Sequence, residues 1–221
     1  MLLLAVDTAT PAVTVALHDG SSVLAAESLV DARRHGELLL PAVDRVLARA
    51  GRKLDAVTDV IVGVGPGPYT GLRVGLVTAS TFGSVLGVPV RGLCTLDGLA
   101  YASGLTEPFV VATDARRKEV YWARYADSRT RLTEPAVDRP GDLADRFGDE
   151  LAGLPVVGAG ALLYPEVFPD ARGPEHQSAE ALAALAAERI AAGGEFLAPL
   201  PLYLRRPDAQ VPKNYKVVTP K

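Results

Sequence analysis

The run Gly63-Val-Gly-Pro-Gly-Pro-Tyr-Thr-Gly-Leu-Arg-Val-Gly75 constrains this chain more than any other stretch. An apolar strand, Val60-Ile61-Val62, enters it, and an apolar helical pattern leaves it from about Thr70. Glycine-rich junctions of this kind can cradle phosphate with backbone N–H groups. Here Pro66 and Pro68 delete two of those donors. No Gly-Lys-Ser/Thr ending follows, so the run is not a P-loop. Its glycines, Gly63, Gly65, Gly67 and Gly71, also miss the dinucleotide-binding spacing G-x-G-x-x-G. The run reads as a device for backbone geometry and packing.

The elements around it follow from pattern. Leu2–Val6, Val13–Leu17 and Ser22–Val30 alternate with polar turns at Asp7–Pro11 and Asp19-Gly20, which predicts an antiparallel meander of three strands. Residues 37–50 carry Leu38, Leu39, Ala42, Val43, Val46, Leu47 and Ala50 at helical spacing, with Pro41 in the first turns and Gly51 at the end. Strand 59–64, helix 70–86 and strand 88–94 then alternate, which implies parallel strands with helices packed on them.

The second half begins by repeating the first. Leu2–Gly20, moved 107 positions, lies without gaps on Phe109–Asp127, so that Ala5 meets Ala112, Asp7 meets Asp114, Val13 meets Val120 and Ala16 meets Ala123. In each copy a strand ends at an aspartate, a polar turn follows and a second strand returns. Two related mixed α/β domains, each opening on such a unit, resemble the actin, sugar-kinase and Hsp70 ATPase group (the ASKHA fold). The expected division is 1–106, 107–207 and a polar tail 208–221 with three lysines and two prolines. The second domain looks abbreviated: an extended connection over 127–142, a short helix over 142–151, a strand at Pro155–Val157, and an alanine-rich helix over 178–192 with Ser178 as its N-cap.

Chemistry has few candidates. A net charge of −3 excludes a general nucleic-acid coat, while leaving room for a local basic patch. The lone cysteine, Cys94, can form no intrachain disulfide and reads as a buried thiol. His18, His35 and His176 are isolated, with no His-x-x-x-His pair and no cysteine pair, so no metal is expected. No serine sits in a G-x-S-x-G elbow. The first residues lack the basic region of a signal peptide, and nothing is long enough to span a membrane, so a cytoplasmic protein is expected. Asp7 is the candidate for residual chemistry. Its position is where actin-fold phosphotransferases hold a magnesium-associated carboxylate. It also fits an Asx turn that accepts its own N–H groups. Asp114 is followed by Arg116, Arg117 and Lys118, a cluster suited to phosphate or to a solvated hairpin tip.

Helix 70–86 carries Gly71, Gly75, Ala79 and Gly83 at every fourth position. Three interior glycines cost roughly 3 kcal/mol against alanine, which close approach of another backbone would offset. Packing on the chain's own sheet is one account. The other is a surface for a second molecule, made by Leu39, Val43, Val46 and Leu47 on helix 37–50 with Gly71, Gly75, Ala79 and Phe82 on helix 70–86.

Five motifs fall in order: Val6-Asp-Thr-Ala-Thr10, His35-Gly-Glu-Leu-Leu-Leu-Pro41, Gly65-Pro-Gly-Pro-Tyr-Thr-Gly-Leu-Arg73, Asp114-Ala-Arg-Arg-Lys118 and Pro201-Leu-Tyr-Leu-Arg205. Together, over about residues 2–208, they resemble the TsaB (YeaZ) family. The resemblance implies a two-domain actin-like fold and a non-catalytic, cofactor-free role in making threonylcarbamoyladenosine next to the tRNA anticodon. It implies binding to the catalytic paralogue TsaD, action alongside the ATPase TsaE, contact with tRNA only through that assembly, and self-dimers through the same helices. The absence of a His-x-x-x-His pair suits a partner that does no catalysis. A free-standing actin-fold ATPase or kinase and a glycoprotein metallopeptidase are the competing expectations.

Overall fold

The computed structural model describes residues 1–205; the tail expected over 208–221 lies outside the described residues. The meander appears as β1 (Leu3–Asp7), β2 (Ala12–His18) and β3 (Val23–Val30). It is followed by α1 (His35–Arg49), β4 (Asp59–Gly63), α2 (Tyr69–Leu86) and β5 (Val90–Leu93). The strands form one mixed sheet in the order β3-β2-β1-β4-β5, with β1 antiparallel to β2 and parallel to β4. The second half supplies β6 (Phe109–Asp114), β7 (Val120–Asp127), β8 (Thr130–Arg131), β9 (Ala136–Asp138), β10 (Val156–Val157) and β11 (Ala171–Arg172). Its sheet runs β11-β10-β6-β7-β8, with β9 also on β7. Each sheet is thus a hairpin whose first strand is extended by two parallel strands, the doubled arrangement of the actin-like ATPase fold.

The gapless repeat needs one correction. In the first hairpin Asp7 pairs with Thr14, whereas in the second Asp114 pairs with Val120. The offset of 107 therefore holds for β6 and falls to 106 on β7. The second turn is one residue shorter and closes through Arg116, Arg117 and Lys118 at φ 61, 55 and 63°. A one-residue slip exchanges the faces of a strand, so Val120 stands where Thr14 does and not where Val13 does.

Four helices complete the second half by sequence: α4 (Pro140–Phe147), α5 (Asp149–Ala152), α6 (Ala159–Leu163) and α7 (Ala179–Ala191). Ser178 caps α7, its Oγ accepting from the Ala181 N–H at 3.2 Å. A further helix, α3 (Thr95–Ser103), precedes β6. Pattern reading does not reveal it, because Gly98 interrupts a short apolar run. The helices cross between halves. Leu182, Ala183 and Ala186 of α7 pack on Leu3, Ala5 and Ile61 of the first sheet. Leu96, Leu99 and Ala100 of α3 pack on Phe109, Val111 and Tyr125 of the second. A cut at 106/107 separates the sheets but divides this packing. Gln177 lies at the crossing, where a Cβ on Gly98 would sit 2.3 Å from its Nε2.

Candidate functional site

Asp7 ends β1 beneath the glycine run and is 1% exposed. Its Oδ1 accepts from the Ala9 N–H at 2.7 Å, and its Oδ2 accepts from Thr95 Oγ1 at 2.9 Å. Thr95 also takes the Gly65 N–H at 3.2 Å, so one carboxylate joins β1, the exit of β4 and the first residue of α3. Gly63 leaves the carboxylate its space, since a Cβ there would lie 1.9 Å from Oδ2. Burial pushes the Asp7 carboxyl up to about 6, against the lowering effect of its two hydrogen bonds. Both oxygens are thus engaged from within the chain: Oδ1 closes an Asx turn on Ala9, and Oδ2 is held by the distant Thr95.

The next residue explains the glycines of α2. Thr8 Oγ1 donates to the Gly71 carbonyl at 2.7 Å and accepts from the Gly75 N–H at 2.9 Å, the two groups one helical turn apart. A Cβ on Gly75 would stand 2.7 Å from Thr8 Oγ1, and one on Gly71 would stand 2.8 Å from the Thr8 carbonyl. One on Gly67 would meet the Ala9 carbonyl at 2.2 Å, and one on Gly83 would meet Val90 at 2.2 Å. The stripe of small residues therefore admits the chain's own β1–β2 turn and β5.

This corrects the expected partner surface. Leu39, Val43, Val46, Leu47 and Ala79 lie between 0 and 7% exposed inside the first core. Gly71 and Gly75 are buried, and Phe82 packs partly buried against the same core. Helical periodicity locates an apolar stripe, but the sheet claims that stripe first. The outer faces differ sharply. α1 turns Arg45 and Arg49 outward to pair with Glu27 of β3. α2 turns out Tyr69, Arg73, Val77, Thr81, Ser84 and Val85, with Val77 64% and Val85 75% exposed. The hydroxyls of Thr81 and Ser84 bond back to the carbonyls of Val77 and Ser80 at 2.8 and 2.9 Å. Their donors are spent on their own helix, which leaves a face of low polarity. Pro199 and Pro201 wall one side and complete an open groove of about 480 Å³.

The motif Pro201–Arg205 has no role legible in sequence; the structure gives it one. The Leu202 N–H donates to the Val64 carbonyl at 2.8 Å. Tyr203 stacks on Tyr69 with centroids 5.3 Å apart, and Arg73 lies over the Tyr69 ring at 4.5 Å. Arg205 pairs with Glu119 beyond the second hairpin turn. The segment thus straps the start of α2 to that turn. Between them opens a cleft of about 270 Å³ lined by Thr8, Thr10, His35, Tyr69, Asp114 and Arg116. His35 Nε2 lies 2.9 Å from the Thr10 carbonyl at its floor. The volume falls below the roughly 300–1,000 Å³ of clefts that enclose a drug-sized ligand. Among the described residues no three metal-ligating side chains gather, and no helix is long and apolar enough to cross a membrane.

Known proteins share this architecture. Residues 27–159 match the family model described as TsaD: tRNA N6-adenosine threonylcarbamoyltransferase. An uncharacterized protein of Mycobacterium tuberculosis is 42% identical over 220 residues, covering 94% of this chain and 93% of its own. The tRNA threonylcarbamoyladenosine biosynthesis protein TsaB of Escherichia coli is 33% identical over 176 residues, covering 76% of this chain and 75% of its own. The solved structure of YeaZ from Pseudomonas aeruginosa superposes with a TM-score of 0.75 at 33% identity, over 92% of this chain and 99% of that one. With the five motifs in order and both hairpin units in place, the chain belongs to the TsaB (YeaZ) family.

Proposed function

We propose that this chain is a non-catalytic subunit in the biosynthesis of tRNA threonylcarbamoyladenosine. It binds a catalytic paralogue of the TsaD type through the outer face of α2, with the ATPase TsaE acting on the pair in the cytoplasm. The observation that carries this reading is the groove over Val77 and Val85. Two valines 64 and 75% exposed on one helix face, flanked by self-satisfied hydroxyls, form a surface that gains from being covered. The same groove would pair two copies of this chain when the paralogue is missing. The free-standing ATPase reading is disfavoured by Asp7, whose oxygens already hold Ala9 and Thr95. No observation favours a peptidase.

The test is Val77→Glu/Val85→Glu. Burying two carboxylates against an apolar partner costs about 3 kcal/mol or more, about a hundredfold in Kd. Co-elution with the TsaD-type paralogue is expected to vanish while the melting temperature stays at the wild-type value, since both side chains face solvent. Undiminished co-elution of the double variant would remove the groove from the interface.

A further inference from the structure

The turn between β6 and β7 holds Arg116, Arg117 and Lys118 in the left-handed region, the only non-glycine residues with positive φ among the described residues. Glycine, asparagine or aspartate adopt this conformation at least cost, and a β-branched or long side chain gains nothing there from the backbone. The chain places three cations in succession where the backbone favours none of them. Strain at an observed outlier points to a use for the side chains.

Hydrogen bonds and ion pairs brace the turn, and its three cations are exposed. Asp114 Oδ1 accepts from the Arg116 N–H at 2.7 Å, and the Glu119 N–H donates to the Arg116 carbonyl at 3.0 Å. Glu119 pairs with Arg205, which also donates to the Arg116 carbonyl at 3.4 Å. Asp114 reaches the Arg116 guanidinium at 3.4 Å. The two carboxylates of the turn are thereby engaged, and the strap has brought a further cation, Arg205, beneath it. Arg116, Arg117 and Lys118 are all exposed. Three exposed cations in succession at one turn, on a chain of net charge −3, suit an array of anions.

We propose that the Arg116–Lys118 turn is an RNA-backbone contact, its three cations meeting phosphates of the tRNA directly. This rests on the reading that the chain works in tRNA modification, and goes beyond it, because that reading brings tRNA only through the assembly. Contacts of this type position a nucleic acid without reading its sequence, and they release counterions on binding.

Asparagine tolerates the left-handed region, so Arg116→Asn/Arg117→Asn/Lys118→Asn removes charge without adding strain. Unmodified tRNA transcript is titrated with the full chain, alone and together with its TsaD-type paralogue, between about 50 and 200 mM salt. The expected result is a loss of affinity of about tenfold or more for the triple variant. The slope of log affinity against log salt is expected to fall by about two, with the melting temperature unchanged or raised. Arg116→Lys/Arg117→Lys, which keeps the charge, is expected to retain wild-type binding. Unchanged affinity and slope in the asparagine variant would overturn the proposal. So would unchanged RNA affinity with lost co-elution of the paralogue, which would make the turn a protein contact. Wild-type tRNA binding absent in both arms overturns it as well. Whether the wild-type chain co-elutes with the paralogue is read separately and judges only the proposed role as its partner.

Discussion

Gly75→Leu is expected to destabilise the chain strongly rather than to leave its stability intact and only block binding. The partner-surface account of the glycine stripe implies the opposite, a folded variant that no longer binds, whereas packing on the chain's own sheet does not. In the structure the Cβ position at Gly75 is 2.7 Å from Thr8 Oγ1 and 3.6 Å from the Thr8 amide nitrogen. A leucine must therefore push the β1–β2 turn off α2. That breaks the two hydrogen bonds of Thr8 with Gly71 and Gly75, both buried. Overpacking costs about 1–3 kcal/mol, and each buried polar group left unpaired adds about 1–3 kcal/mol. A total on the order of 5 kcal/mol takes away much of a domain's net stability, and about 2–4 °C per kcal/mol gives a fall of at least about 10 °C in melting temperature. Thermal unfolding followed by circular dichroism measures it directly. A Gly75→Leu chain melting within a few degrees of the wild type would show that the glycines of α2 do not serve this approach.

That reversal marks where sequence reasoning reaches its limit. Strand and helix identities along 1–94 are legible because each element carries its own period and its own stop. The aspartate-ended hairpin and its repeat are legible for the same reason. The orientation of α2 is not. Leu72 and Leu76 face the core, while Val77 and Val85 face solvent, and all four are equally apolar as letters. Only the sheet decides which face is inside. The hidden one-residue deletion in the second turn has a related origin, because left-handed arginines have no signature in sequence. Likewise α7 returns to the first sheet through contacts between its alanines and Leu3, Ala5 and Ile61, residues about 120 to 180 positions away. Asp7 and the Arg116–Lys118 cluster could be named in advance as chemically notable, and the Asx alternative for Asp7 could be stated. The role of Thr95 in completing that network could not, since the helix it begins leaves too short a pattern.

The buried Asp7 should make stability depend on pH in an unusual direction. Its carboxyl is held at about 6 in the folded chain against an ordinary value of 3.8, chiefly by burial. Between those two values the folded state binds the proton and the unfolded state does not. Stability contributed by this group is therefore greatest at and below about pH 4, declines as pH rises, and levels off above about pH 6. At about 1.4 kcal/mol per pH unit the decline amounts to roughly 3 kcal/mol. Carboxylates such as Glu27 and Asp170, held low by arginine partners, act with the opposite sign at lower pH. A comparison within one background separates the two. Asp7→Asn keeps an oxygen for the Ala9 N–H and carries no charge, so its own profile should lack the decline. Chemical denaturation of both proteins from pH 4 to 6.5 is expected to show the wild type losing roughly 2 kcal/mol relative to the variant, most of the full span. Two parallel profiles would mean that the Asp7 carboxylate is solvated in solution, and with it that the cleft beside the glycine run opens wider than the structure has it.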